Sequence, residues 1–316
     1  MGKLYLGDQE IGVYQIENPK EPVMDFPIDS TGKVSRISGD YVLPSRVKDV
    51  GTYAFYRLLY SSVVTSADLS SLTAISGSYG TSYMFFDCPN ITSVDLSSLT
   101  TISGEKGAST MFASCPNLAS VNLGSLTTIS GSYGAENMFS GCIGLTSIDL
   151  SSLTTISGSS GALNMLERCT SLTSVDLSSL TTISGSYGAE YMFDSCPNLA
   201  SVDLSSLTTV SGSYGASSML SNCTSLTSVD FSSLTTISGR YCMSSLFYNS
   251  SNIKDVRFPA LTANSFGKSY TNQFNNMLYG VTGCTLHFPA AAQAKVETLT
   301  GYPNFGGTNT IVLFDL

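Results

Sequence analysis

Between residues 64 and 258 the chain repeats with a period of 27 residues and never loses register. One unit reads LTSIDLSSLTTISGSSGALNMLERCTS, Leu145 to Ser171. Cysteine returns at Cys88, Cys115, Cys142, Cys169, Cys196 and Cys223. Aspartate returns at Asp68, Asp95, Asp149, Asp176, Asp203 and Asp230, with Asn122 in the one gap. A fixed period of this length means a solenoid. Each unit buries its apolar face only against its neighbours, so the chain grows in one dimension and presents long rows of like side chains. The usual expectation of two globular domains for 316 residues therefore does not apply.

Within a unit, LTSIDL alternates as a strand does. Leu145, Ile148 and Leu150 are expected to point inward, and Ser147 and Asp149 outward. Leu153 and Ile156 fall at a spacing that suits a second inward edge. A glycine turn follows, SGSYG in most copies. In ALNMLERC the apolar residues Ala162, Met165, Leu166 and Cys169 stand at helical spacing, which predicts a helical turn or two. Such a helix is too short to be stable alone.

The flanks differ. Lys3–Leu6 and Ile11–Ile16 around Gly7-Asp8 predict a β-hairpin, and Pro19, Pro22 and Pro27 mark an irregular connection. A divergent unit, YVLPSRVKDVGTYAF, begins near Tyr41. At the other end the period slips to 30, with Leu286 and Phe288 in the places of Val256 and Phe258. AAAQAKVETL then reads as a helix and TIVLFDL as a closing strand. The expected division is residues 1–40 as N-terminal hairpin and connecting cap, 41–288 as solenoid and 289–316 as C-terminal cap.

Composition narrows the function classes. The net charge is -9 and the pI about 4.5, with 14 scattered Lys and Arg, so no basic footprint for nucleic acid or an anionic membrane is present. No apolar run approaches the roughly 20 residues of a membrane span, so no membrane insertion is expected. The start, MGKLYLGDQEIGVYQIE, lacks the form of a signal peptide, and Leu6 stands where a myristoylation signal needs Ser or Thr. Export on that reading relies on a segment outside this sequence or on another route.

The unit M-F-x-x-C-x-x-L-x-S-V-D-L-S-S-L-T-T-I-S resembles the BspA-like, or treponemal, class of bacterial leucine-rich repeat. Leu43-Pro44 through Gly51 to Ala54-Phe55 is closer still to that pattern, and LTGYPNFGGTNTIVLFDL resembles a C-terminal cap of such proteins. The resemblance covers residues 41–316. Departures are the longer period, Ser in place of the Pro after the strand, and the inserted glycine turn. It implies an α/β repeat solenoid, a right-handed leucine-rich-repeat superhelix with one short parallel strand plus a short helical turn per 27-residue repeat. It also implies an extracellular or cell-surface protein, and in some members an adhesin.

Three rows are candidate sites. Cysteines on adjacent turns would lie about 5 Å apart, within reach of a disulfide. Each follows an apolar pair such as Met138-Phe139, where a free thiol serves as a small buried group, and no C-x-x-C supplies chelate spacing. Buried free thiols are the preferred reading. The aspartates Asp149, Asp176, Asp203 and Asp230 form either a strip for cations or a basic partner, or a solvated row bonded to serines such as Ser93, Ser97, Ser147 and Ser151. In-register carboxylates repel by about 1 kcal/mol each in bulk dielectric. One residue per strand gives calcium too few oxygens, so no metal site or cofactor is assigned. Tyr79, Tyr133, Tyr187, Tyr214 and Tyr241 form the third row, with Lys106 and Ser160 in the other copies. A core position would not accept lysine, so this row is expected to be exposed, either anchoring a partner or packing ring on ring.

Catalytic motifs fail in turn. His287 is the lone histidine, and no G-x-S-x-G occurs. Phe266-Gly267-Lys268-Ser269 mimics the end of a P-loop, but Thr262 replaces its first glycine. The expectation is a non-enzymatic bacterial surface or secreted module that binds a host or bacterial surface protein or a glycan through its repeat face. The alternative is a structural component of a phage tail or secretion assembly.

Overall fold

The computed structural model describes residues 2–6, 9–14, 38–43, 48–52, 63–267 and 270–316. The Gly7-Asp8 turn, the prolines Pro19, Pro22 and Pro27, and the Lys268-Ser269 end of the P-loop-like string lie outside the described residues.

Each repeat makes one coil with three faces, and each face stacks on its counterpart 27 residues away. The first face is the strand Ser-Val-Asp, as in Ser174–Asp176. Its central Val is buried and its Ser and Asp are exposed, because alternate strand residues point to opposite sides. Pairing is parallel and in register: Ser147 with Ser120, Ile148 with Val121, Asp149 with Asn122. Seven strands from Ser38–Val42 to Ser201–Asp203 form one sheet. Four more, from Ser228–Asp230 to Ile311–Leu313, form a second sheet beyond it. Val256 pairs with Leu286 and Arg257 with His287, so the slipped register expected at the C-terminal end is present.

The second face is a two-residue strand, such as Thr155–Ile156, paired with Thr128–Ile129 and Thr182–Ile183. Each coil therefore carries two strands rather than the single one expected. Ile156 is buried. Beside it Thr154 Oγ1 donates to the Thr127 carbonyl at 3.0 Å, and Thr181 and Thr208 repeat the bond at 3.1 and 3.0 Å. A β-branched residue suits both jobs, the buried one by shape and the exposed one through its hydroxyl.

The third face corrects the sequence reading. The helical turn expected over ALNMLERC does not form, and the segment is a run of consecutive turns. Every fourth residue has positive φ, as at Tyr187, Tyr191 and Ser195 with φ 56°, 54° and 59°. Gly188, Glu190, Met192 and Asp194 donate their N–H groups three residues back. The alternate residues Tyr187, Ala189, Tyr191, Phe193 and Ser195 donate to the next coil, at 2.7–3.1 Å. A helix would point its N–H groups along its own axis, none towards a neighbouring coil. This run spends half of them joining coils, which satisfies buried backbone that a short helix would leave open at its ends. Met192, Phe193 and Cys196 remain inside the core.

Glycine is required where the second face meets the third. A Cβ on Gly158 would lie 2.1 Å from the Gly131 carbonyl oxygen, and one on Gly185 would lie 2.0 Å from that of Gly158. The coils touch backbone to backbone there, and no side chain fits between them.

The interior is a set of in-register rows. Leu145, Ile148, Leu150, Leu153, Ile156, Met165 and Leu166 are all buried in one coil. Each such side chain contributes about 1.5–3 kcal/mol through burial. Phe85, Phe112 and Phe139 stack with centroids 5.0 and 5.5 Å apart. The N-terminal pair Gly2–Leu6 and Gln9–Tyr14 is antiparallel. At the other end Ala290–Ala292 and Gln293–Val296 form a short helical segment, and Ile311–Leu313 closes the sheet beside Thr285–His287. No described helix is long and apolar enough to cross a membrane.

Candidate functional site

The aspartate row runs along the outer side of the first sheet. Asp149 pairs in register with Asp176, and Asp176 with Asp203. Asp230 continues the line and is followed by Arg257 and His287. Two adjoining shallow cavities of about 570 and 560 Å³ open there. Asp95, Asn122, Asp149 and Asp176 line the first, and Asp176, Asp203 and Asp230 the second.

One oxygen of each aspartate is already engaged. Oδ1 accepts the N–H of the residue two places on: Ser151 to Asp149 at 3.1 Å, Ser178 to Asp176 at 2.8 Å, Ser205 to Asp203 at 2.9 Å and Ser232 to Asp230 at 2.7 Å. This is the side-chain turn that Asp and Asn favour, and it ends the strand. Asn122 makes the same bond to Gly124 at 3.0 Å, which explains why asparagine fits the row. The hydroxyl of Ser178, then its N–H, holds the Asp176 carboxyl below its usual range. Of the serines named from the sequence, Ser97 and Ser151 donate to the row. Among the described residues no group of three or more His, Cys, Asp or Glu is placed to hold a metal ion.

The tyrosine row lies where the third face begins. Tyr187 and Tyr214 stack at 5.1 Å and 6°, and Tyr214 and Tyr241 at 5.0 Å and 22°. Arg240 covers the far end, its Cζ 5.2 Å from the Tyr241 centroid. Lys106 Nζ lies 5.4 Å from the rings of both Tyr79 and Tyr133. Between these two groups Ser160 leaves a gap. The rings beside the gap, Tyr133 and Tyr187, are 37% and 41% exposed, while Tyr79, Tyr214 and Tyr241 are half-buried.

All five tyrosines stand at φ 54–56°, a region that costs a non-glycine residue roughly 1–2 kcal/mol. Tyr191, four residues after Tyr187, is also at positive φ and 40% exposed. Nothing in its own residue type marks it in the sequence, although Asn137 and Asn164 occupy its place in other copies. Asparagine in that row signals left-handed backbone.

The cysteines form a third structural row. All eight are buried, and none forms a disulfide. Each of Cys115, Cys142, Cys169, Cys196 and Cys223 donates to a carbonyl 30 residues earlier, at 3.1–3.3 Å. Ser250 takes over the task at 2.7 Å. Burial pushes the Cys142 and Cys196 thiols up to about 12. His287 is buried near the C-terminal end, with Nδ1 2.9 Å from Asp315 and Nε2 3.3 Å from Asp255. It ties the last strands together.

The family model for the BspA type leucine rich repeat region matches in six copies, over residues 38–160, 81–214 and 135–277. No curated protein matches the sequence. Among solved structures, the T. pallidum leucine rich repeat protein is 21% identical, with 88% of this chain and 89% of that one covered and a TM-score of 0.40. A leucine rich cell surface protein of Faecalibacterium prausnitzii is 15% identical over the same shares, with a TM-score of 0.27. Listeria monocytogenes InlP is 14% identical over 83% and 67%, with a TM-score of 0.35. With parallel in-register strands, a fixed coil and a family model spanning residues 38–277, the chain belongs to the BspA-type leucine-rich repeat proteins.

Proposed function

We propose that this protein is a non-enzymatic binding scaffold, surface-located or secreted, that engages a protein or glycan through its repeat surface, with the tyrosine row as the main contact. The observation that carries this reading is the tyrosine row itself. Five rings occupy left-handed backbone positions that glycine would fill without cost, and they line one edge of the solenoid. Stacking returns about 0.5–1.5 kcal/mol per pair, which offsets only part of that cost. A tyrosine ring also brings contact area at low entropic cost. The aspartate row is secondary, since each carboxylate has one oxygen engaged in a turn and the other left for a partner's donor. Family membership supports the surface location.

The test is binding on an array of matrix proteins and glycans. Changing Tyr133, Tyr187 and Tyr214 together to Ser should leave the fold intact, because Ser160 already occupies this position, and should abolish capture. Capture that survives the triple change moves the contact surface elsewhere. A turnover activity with no binding at all removes the proposal.

A further inference from the structure

The gap in the tyrosine row is flanked by the two most exposed of its rings. We propose that the space over Ser160, between Tyr133 and Tyr187, is a docking slot for one arginine side chain of a partner polypeptide. The inference rests on the tyrosine edge being the binding surface, and adds what that edge recognises.

Spacing comes first. Successive rings stand 5.0–5.1 Å apart, so two steps of one strand spacing place Tyr133 and Tyr187 about 10 Å apart. That leaves room for one flat group at the spacing the row itself uses. Each flanking ring has one face covered, Tyr133 by Lys106 and Tyr187 by Tyr214. These two rings are also the most exposed of the five. Ser160 is only 4% exposed, at φ 52°, so the incoming group would lie above it and between the rings.

The chain shows what replaces a ring in this row. Where Lys106 breaks the row, its own ammonium lies over both neighbouring tyrosines. Where the row ends, the Arg240 guanidinium lies over Tyr241. Among the described coils from Tyr79 to Tyr241, the Ser160 coil alone places neither a ring nor a cation at this position of the row. A guanidinium is flat and weakly hydrated and stacks on aromatic faces, whereas an ammonium is a point charge.

Charge agrees. The net charge of -9 adds a long-range attraction for a basic segment.

The experiment is calorimetry with the whole chain and a short capped Arg-Gly repeat peptide. Its comparison peptide carries citrulline, which keeps the flat end group and loses the charge. The arginine peptide should bind, and the citrulline peptide should bind about tenfold more weakly or not at all. Ser160→Tyr fills the slot with the residue that five other coils carry at the same φ, and should weaken arginine-peptide binding about tenfold. Tyr187→Leu, which removes one wall without adding bulk, should do the same. No binding of the arginine peptide overturns the proposal. So does equal binding by wild type and both variants, which would assign the affinity to net charge alone. Either failure leaves the broader reading of the edge to its own triple-tyrosine test.

Discussion

Replacing Gly185 with alanine tests the stacking geometry directly. The new Cβ would lie 2.0 Å from the Gly158 carbonyl oxygen and 2.7 Å from its carbon. An ordinary carbon–oxygen contact is about 3.3 Å or more, so the coils must part by over 1 Å at this point. All the clashing atoms are backbone, and no rotamer change relieves them. Ser184 donates to the Ile156 carbonyl at 3.0 Å, Thr182 to Thr154 at 3.2 Å and Ala162 to Gly188 at 2.7 Å. Parting by that distance breaks two or three such bonds, at about 0.5–1.5 kcal/mol each. Loosened contact between Ile156 and Ile183 adds to the cost, giving about 3–5 kcal/mol, the upper range for overpacking. Gly188→Ala is the control. Its Cβ meets the Gly185 oxygen at 2.9 Å and Ile183 Cγ2 at 3.3 Å, an overlap of about 0.4 Å rather than over 1 Å, so a smaller loss of about 1–2 kcal/mol is expected. Urea unfolding followed by far-ultraviolet circular dichroism measures both, compared at the transition midpoint because repeat arrays need not unfold in one step. A Gly185→Ala protein within about 1 kcal/mol of wild type, or less affected than Gly188→Ala, would refute the backbone-contact reasoning.

Other outcomes follow from the rows. The eight cysteines should resist Ellman's reagent in the native protein at pH 8, since burial pushes Cys142 and Cys196 to about 12, and all eight should titrate in denaturant without reductant. Fewer than eight would mean cross-links. Asp176→Asn should match wild-type stability, because Asn122 already makes the same turn, whereas Asp176→Ala should lose about 1 kcal/mol with the Ser178 bond, as thermal melts would show. Thr110 is a β-branched residue at φ 59°, so Thr110→Gly should stabilise by about 1 kcal/mol in the same assay. Burial pushes the Glu190 carboxyl up to about 7 from its ordinary 4.5. The folded chain therefore holds the extra proton, and stability should fall as pH rises from 4.5 towards 7. Glu190→Gln should flatten that slope in melts taken across the window, and an unchanged slope would assign it to other groups.

Much of this protein is legible in the residues alone. The period determines a solenoid, because only a unit stacked on a copy of itself keeps Leu145, Ile148 and Leu150 buried in every coil. Alternation in LTSIDL determines the outward aspartates, since a strand leaves no other choice of side. Lys106 in the tyrosine row determines that the row meets solvent. The nature of the third face was decided only by the tertiary structure. Ala189, Met192, Phe193 and Cys196 recur at three- and four-residue intervals, which suits a helix of 3.6 residues per turn and equally a run of turns repeating every four. Over eight residues the two periods do not separate. Interactions between coils separate them, because every other N–H finds a carbonyl on the next coil, as Ala189 does at Gly215, and a helix cannot offer that bond. The same holds for glycine and for the slot. The recurrence of Gly158 and Gly185 is visible in the sequence, but the contact at 2.0 Å that requires it exists only between stacked coils. Ser160 reads as one missing tyrosine among several, and becomes a gap with two walls only when stacking sets Tyr133 and Tyr187 on either side of it.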